Sequence, residues 1–98
     1  MMYRLEGAQM LRLTVKSQTP EEMVLQVDGW VSEAETDVLE KEGTRLLQES
    51  ELLVLDLKGL RFIDEAGIEI LKQWSRGRLV LRGASPFLHK LLEEYGLM

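Results

Sequence analysis

Residues 52–57 have the sequence Leu-Leu-Val-Leu-Asp-Leu, which carries the strongest indication of the architecture. The segment is almost continuously apolar, so it lacks the alternation of a strand that buries only one face. It is also too short for a buried helix, since such helices usually have at least about 10 residues. It therefore predicts a central strand covered on both faces, which is typical of a parallel sheet packed against helices.

Two helices and a strand are expected on the C-terminal side of this segment. Asp64 precedes a stretch whose apolar residues recur at helical spacing, so we expect a helix capped by Asp64. Residues 78–82, Arg-Leu-Val-Leu-Arg, predict another strand. Ser85 and Pro86 form a typical helix start, and Gly96 a typical helix end. The apolar positions of the first of these helices are Ala66, Ile70, Leu71 and Trp74.

A hairpin is expected at the start of the chain. Residues 10–16 alternate partly between apolar and polar side chains, and residues 23–27 form a second apolar run. The polar, proline-containing residues 17–22 between them indicate a loop, and Asp28-Gly29 indicates the end of the second strand. The two strands therefore predict an antiparallel hairpin.

A helix is expected between this hairpin and the central strand. Ser32 and Glu35 form the S-x-x-E pattern of a capping box, so the helix should run from about Glu33 to Gln48. Gly43 lies near its apolar stripe, and glycine costs about 1 kcal/mol in a helix interior. We therefore expect the missing side chain to permit close contact with a sheet.

The resulting order, β-β-α-β-α-β-α, predicts an α/β fold with a mixed sheet. The N-terminal hairpin is antiparallel, whereas the later strands alternate with helices and should be parallel through right-handed crossovers. We expect residues 10–98 to form a single domain and residues 1–9, which show no periodicity, to form a flexible arm.

Composition excludes several classes of function. The 98 residues contain no cysteine and one histidine, His89, which excludes disulfides, thiolate chemistry and histidine-rich metal sites. The net charge of −5 would repel a nucleic-acid backbone. No apolar run approaches the roughly 20 residues of a membrane span, and no secretory signal is visible. We expect a cytoplasmic protein with no direct nucleic-acid binding and no membrane insertion.

Two segments resemble the STAS family, named for sulfate transporters and anti-sigma factor antagonists. Residues 53–68 are similar to its central signature, in which a buried strand leads through a short loop to Asp-Ser-(Ser/Ala/Thr)-Gly-(Leu/Ile/Val) at a helix start. Residues 79–97 are similar to the family's strand, Ser-Pro helix and Gly-Leu ending. The resemblance covers roughly residues 10–98 and implies a STAS-like mixed sheet.

The resemblance also implies a partner-binding surface and a missing switch. In antagonists of this family, a kinase-type anti-sigma factor phosphorylates the serine or threonine after the motif aspartate, which switches partner binding off. Glu65 stands at that position here and has no hydroxyl to accept a phosphoryl group. The family often has an aspartate before its first helix, where this chain has Ser32. The implied partner-binding residues are Gly29, Trp30, Ser32, Asp64, Glu65, Ala66, Gly67 and Ile68.

Most of these residues have two interpretations. Glu65 either imitates a phosphoserine with one fixed charge or simply interacts with the helix dipole, which is worth about 0.3–1 kcal/mol. Asp64 is most simply an N-cap, with a partner contact as the alternative. Trp30 is either an exposed anchor or folds over the core, and Ile68 is either a partner contact or a core residue. Asp64, Glu65 and Glu69 are a poor metal cluster, because adjacent helical residues point in different directions.

Two functions from different classes follow from these observations. The first is a noncatalytic module that binds a kinase-like anti-sigma factor and releases a sigma factor. The second is an accessory subunit, similar to small STAS proteins that dock on the ATPase of bacterial lipid-transport complexes. An enzyme is poorly supported, because the chain has no glycine-rich phosphate cradle and no recognisable nucleophile and base pair. We predict no cofactor and no metal, and Trp74 is buried either internally or in a homodimer.

Overall fold

The computed structural model describes residues 2–4, 11–32 and 35–98. No helix within these residues is both long and apolar enough to cross a membrane. A short strand, β1, lies in the predicted arm, whose residues 1 and 5–9 lie outside the described ranges; the flexibility of the arm stays a prediction. The elements are β1 (Met2–Arg4), β2 (Leu11–Gln18), β3 (Glu22–Val31), α1 (Thr36–Glu49), β4 (Leu52–Asp56), β5 (Leu60–Ile63), α2 (Glu65–Trp74), β6 (Leu79–Arg82) and α3 (Pro86–Glu94).

The strands form one mixed sheet. Its order is β1-β2-β3-β4-β6, and β5 pairs with the C-terminal end of β3. The neighbours β1, β2 and β3 are antiparallel, whereas β4 is parallel to β3 and β6, and β5 is parallel to β3. The predicted α/β fold, with an antiparallel N-terminal hairpin and parallel later strands, is confirmed. The predicted order was incomplete, because it contained neither β1 nor β5.

The three helices of the described chain pack against one face of the sheet. Leu53 and Leu55 of β4 belong to the buried cluster to which α1, α2 and α3 all contribute. Val54 and Asp56 alternate with them, point to the opposite face and lie outside that cluster. They are nevertheless only 3% and 5% exposed: Val54 lies between its register neighbours Val24 and Val80, and the carboxylate of Asp56 lies near Lys16. The prediction that β4 is buried on both faces is confirmed, but helices cover only one of them.

Strand β3 is longer than the sequence indicates. Asp28 and Gly29 do not end the strand, because they pair with Arg12 and Leu11 of β2. Gly29 has a positive φ of 96° at the point where the pairing with β5 shifts register. Glycine adopts this left-handed backbone conformation without the steric cost that other residues have. The strand therefore continues through a bulge to Val31, and Trp30 lies in a strand rather than in a loop.

Helix α1 begins at Thr36, later than the capping-box pattern predicts. The hydroxyl of Ser32 donates to the Oε1 atom of Glu35 at 2.7 Å, and the N–H of Glu35 donates to the carbonyl of Ser32 at 2.8 Å. Glu35 is the N-cap residue and its side chain makes no capping hydrogen bond. The predicted capping box is wrong, because the two side chains bind each other instead of the helix amides. The predicted helical residues 33 and 34 lie outside the described residues.

Gly43 permits close contact between two helices, not between a helix and the sheet. A Cβ atom on Gly43 would collide with the six-membered ring of Trp74 on α2. Trp74 is only 5% exposed within the chain itself, so it is buried internally and needs no second copy to cover it. The expectation of a glycine–sheet contact is therefore wrong, although its physical basis, the missing side chain, is correct.

Candidate functional site

The ends of β3 and β5 bring together the two sequence segments that were predicted to form a site. Val31 and Ile63 pair in register. The N–H of Asp64 donates to the carbonyl of Val31 at 3.0 Å. Ser32 and Asp64 follow these paired residues, so both leave the sheet at the same end. Residues 29–32 and the turn at residues 64–68 are consequently neighbours.

Asp64 is the N-cap residue of α2. Its Oδ1 atom accepts a hydrogen bond from the N–H of Gly67 at 3.0 Å, and its carbonyl accepts one from the N–H of Ile68 at 2.9 Å. The backbone of Asp64 is extended, as an N-cap requires. The N-cap interpretation is confirmed, and it explains why an aspartate stands where the strand ends and the helix begins.

Replacing Asp64 by alanine should lower the free energy of unfolding by about 1 kcal/mol, because the N–H of Gly67 loses its acceptor. Asp64→Asn keeps an oxygen in the same place and should cost clearly less. Urea denaturation followed by circular dichroism measures both values. Equal losses in the two variants would contradict a capping role for the side-chain oxygen.

Two residues of the predicted site face inward. Gly67 is buried, and a Cβ atom there would lie 2.7 Å from Cγ1 atoms of both Ile63 and Val31. Ile68 is only 2% exposed and belongs to the core cluster. Ala66 is half-buried. Gly67 and Ile68 therefore shape the turn from inside, and neither is exposed enough to contact a partner directly.

Glu65 presents its carboxylate to solvent in the first turn of α2. Glu69, one turn later, is also exposed, and its Oε1 atom lies 3.9 Å from the Nζ atom of Lys72. A first-turn carboxylate is favourable beside the helix dipole whether or not a partner is present. Because Glu65 is exposed, its charge is also accessible to another protein.

Trp30 and Phe62 form an exposed aromatic pair beside this turn. They pair across β3 and β5, their ring centroids are 5.1 Å apart, and the ring planes are tilted by 39°. Trp30 is 42% exposed and Phe62 is 39% exposed. Large apolar side chains that remain exposed next to each other are typical of interaction sites. The interpretation of Trp30 as an exposed anchor is favoured over burial in the core.

The aromatic pair and the turn lie at the same end of the sheet. Trp30 precedes Ser32 by two residues, and Phe62 precedes Asp64 by two residues, so both rings lie next to the points where β3 and β5 end. The intervening Val31 points into the core. We name this region, consisting of Trp30, Ser32, Phe62, Asp64 and Glu65, the aromatic–acidic surface.

The turn between β4 and β5 holds β5 beside β3. The N–H of Gly29 donates to the carbonyl of Gly59 at 2.9 Å. A Cβ atom on Gly59 would collide with the carboxylate of Asp28, which also accepts hydrogen bonds from the Nε2 atom of Gln26 at 2.9 and 3.0 Å. Gly29 thus contributes to the site through its backbone, because it helps to place Phe62 next to Trp30.

Sequence reasoning missed Phe62, because it treated residues 58–63 as a short loop. The run Leu-Arg-Phe-Ile at residues 60–63 lies between Gly59 and the N-cap Asp64, which is a weak strand signal. Only the pairing with β3 makes it a strand.

Among residues 2–4, 11–32 and 35–98, no group of three or more His, Cys, Asp or Glu side chains is arranged to hold a metal ion. Asp64 instead binds the backbone of its own helix, and Glu69 lies near Lys72. The arrangement combines two exposed aromatic rings with the exposed carboxylate of Glu65.

The fold defines a class of small α/β domains in which helices cover one face of a mixed sheet. A family model described as "Mlab, STAS domain" matches residues 14–98. The chain belongs to this STAS domain family, whose members bind protein partners and are typically noncatalytic modules. None of the curated proteins compared matches the chain in sequence.

Solved structures of anti-sigma factor antagonists share the fold. The unphosphorylated form of the antagonist SpoIIAA is 18% identical, with a TM-score of 0.75 over 87% of this chain and 81% of that chain. An antagonist from Mycobacterium paratuberculosis is 21% identical, with a TM-score of 0.73 over 95% and 84%. The STAS domain of an antagonist from Rhodobacter sphaeroides is 17% identical, with a TM-score of 0.61 over 79% and 94%. Identities this low show a common fold only.

Proposed function

We propose that this chain is a noncatalytic interaction module that binds a kinase-like anti-sigma factor and thereby regulates the availability of a sigma factor. The observation that carries the proposal is the aromatic–acidic surface. It is accessible, and it lies at the segment that resembles the central signature of the family. Similarity of fold to anti-sigma factor antagonists supports the proposal.

The chemistry of the surface favours a partner that contributes apolar groups and cations. Tryptophan and other aromatic residues are enriched among the few residues that dominate binding energy. Exposed carboxylates such as Glu65 at the edge of such a patch favour basic partners and faster association. Guanidinium groups satisfy both parts of the surface, since they stack on aromatic rings and pair with carboxylates.

Regulation by phosphorylation at the family's usual position is incompatible with Glu65, because a carboxylate accepts no phosphoryl group in that reaction. Glutamate carries one negative charge, whereas a phosphoserine carries about −1.5 to −2. We propose that Glu65 keeps the surface in one constant state. Control of binding then depends on the abundance of the chain, on another residue or on a competing partner.

The constant charge at Glu65 also favours a second candidate function. A permanent subunit needs no switch, so a surface without a phosphorylatable hydroxyl fits an accessory STAS subunit docked on the ATPase of a bacterial lipid-transport complex. Affinity purification of the tagged chain distinguishes the candidates. An ATPase with membrane subunits supports the second, and a kinase-like anti-sigma factor supports the first.

Removing both rings, in the double variant Trp30→Ser and Phe62→Ser, should weaken binding to the cognate kinase-like anti-sigma factor about 30-fold or more, as expected for hot-spot residues worth at least about 2 kcal/mol. Isothermal titration with each purified kinase-like anti-sigma factor of the source organism measures the affinity. Thermal denaturation of the variant confirms that it is folded.

Phe87→Ser is the matched control, because Phe87 is an exposed aromatic residue on α3 with 73% of its surface accessible. This variant should bind as the unmodified chain does. Equal affinities of the double variant and the unmodified chain would refute the aromatic–acidic surface as the binding site. Failure of every kinase-like anti-sigma factor to bind would refute the first function.

A further inference from the structure

Strand β6 is an open edge of the sheet. It pairs only with β4 among the described residues. The N–H groups of Leu53 and Leu57 donate to the carbonyls of Arg78 and Arg82. The backbone N–H and carbonyl groups of the even-numbered residues of this strand therefore point towards β4. The N–H and carbonyl groups of Leu79 and Leu81 therefore point outward, away from the sheet.

An apolar row crosses the helix-free face and ends at this edge. Val24, Val54 and Val80 pair in register across β3, β4 and β6. The first two are 5% and 3% exposed, whereas Val80 is 43% exposed because no strand of the described chain lies beyond it. On the helix side of β6, Leu79 and Leu81 are only half-buried. A further strand would cover apolar surface on both faces.

Two arginines flank Val80 on the same face. Strand alternation puts Val80 and Arg82 on the helix-free side, and Arg78, one residue before β6, continues the same spacing because its carbonyl still bonds to Leu53 of β4; both arginines are exposed. No ion pair within 4.0 Å involves either arginine in the described part of the chain. Asp56, the register neighbour of Arg82, accepts a hydrogen bond from the N–H of Lys58 and lies near Lys16. The edge is thus basic in a chain whose net charge is −5.

Pairing of this edge with a second copy of itself is disfavoured by charge. An antiparallel pair centred on Val80 would put Arg78 opposite Arg82 of the second copy, twice. Like charges directly opposite each other destabilise a pair of strands. An antiparallel pair centred on Leu79 would bring Arg76 of one copy opposite Arg82 of the other. A pair centred on Leu81 would leave fewer residues of the two strands paired.

We propose that β6 binds an extended acidic segment of a protein partner as an additional strand. The segment carries Asp or Glu opposite Arg78 and Arg82, and a β-branched residue opposite Val80. Apolar residues between these positions cover Leu79 and Leu81. The backbone of the segment bonds to the outward groups of Leu79 and Leu81, which is the mode of strand addition seen at other sheet edges. This site is separate from the aromatic–acidic surface and does not depend on the proposed function.

The test uses a short synthetic peptide with the central pattern acid–apolar–threonine–apolar–acid and glycine–serine ends. Added to the full chain, it should shift the amide resonances of Leu79 and Leu81 and slow their hydrogen exchange. A peptide with lysine in place of both acids should bind roughly tenfold or more weakly, as expected from two reversed cross-strand charge pairs. N-methylation of the peptide amides that face β6 should abolish the effect.

Charge reversal in the protein provides the matched variant. Arg78→Glu with Arg82→Glu should exchange the preference, so that the lysine peptide binds more tightly than the acidic one. Lys41→Glu with Lys90→Glu introduces the same change of charge at exposed positions on α1 and α3 and should leave the preference unchanged.

Three outcomes would overturn the proposal. The first is no response of Leu79 and Leu81 to either peptide, which would mean that the arginines only keep the edge from pairing. The second is equal binding of both peptides. The third is protection of these amides that rises with protein concentration when no peptide is present, which would assign the edge to a second copy.

Discussion

Trp74→Ala should lower the free energy of unfolding by about 3–5 kcal/mol, because it removes a large buried ring and leaves a cavity between two helices. A domain of this size is expected to have a total stability of about 5–15 kcal/mol, so the loss is a large part of it. The melting temperature should fall by roughly 15–30 °C. Urea and thermal denaturation measure the two quantities.

Gly43 packs against Trp74, and the effect of Gly43→Ala on the free energy of unfolding should change sign when the Trp74 ring is removed. Alone it should destabilise the chain by about 1–2 kcal/mol, because the new methyl group collides with the ring of Trp74. In the Trp74→Ala background the collision is absent, and alanine should stabilise α1 by about 0.5–1 kcal/mol relative to glycine.

Gly77→Ala is the control for this cycle, because a Cβ atom there meets only an ordinary contact, 3.5 Å from the carbonyl of Trp74. It should change stability by less than about 1 kcal/mol in either background. If Gly43→Ala destabilises both backgrounds equally, the close approach of α1 to Trp74 is not the reason for the glycine.

Gly67→Val should destabilise the chain by about 3 kcal/mol, the upper part of the range for overpacking a core. Its Cβ atom would lie 2.7 Å from Cγ1 atoms of Val31 and Ile63, and the branched side chain needs still more room. Both neighbours are buried and β-branched, so their rotamers offer little relief. Chemical denaturation gives the loss directly.

The control for this substitution is Glu69→Val on the same helix. Glu69 is exposed, so only the lower helix propensity of valine should matter, at a few tenths of a kcal/mol. A similar loss in the two variants would refute the tight packing of the turn against β3 and β5.

Part of the candidate site was predictable because it depends on neighbours in sequence. The N-cap of α2 needs only Asp64 and the amide of Gly67 three residues later, and both are visible in the chain. The exposure of Glu65 follows from its position in the first turn outside the apolar stripe. Phe62 could not be found in this way, because its strand exists only through pairing with β3.

The errors in the prediction share a physical cause. Ser32 and Glu35 match a helix-start pattern, yet they bind each other, because a side-chain pattern does not say which of several polar partners is nearest. Asp28 and Gly29 match a strand end, yet two neighbouring strands, β2 and β5, supply hydrogen-bonding partners that keep the chain extended. In β3 and β5, hydrogen bonds to strands that are distant in sequence outweighed the local preference of the residues for a turn.

The amino-acid sequence alone determined the α/β class, the antiparallel hairpin, the central buried strand and the capped start of α2. Each of these follows from hydrophobic periodicity or from a hydrogen bond within one helical turn. Such relations join residues that are close in sequence, so they can be recognised without knowing the fold. Only the tertiary structure decided that Trp74 packs on Gly43, that Trp30 meets Phe62, and that Arg78 and Arg82 flank an open edge. These arrangements depend on which strands become neighbours and on the face that the helices cover, and both result from burying the apolar side chains of the whole chain together.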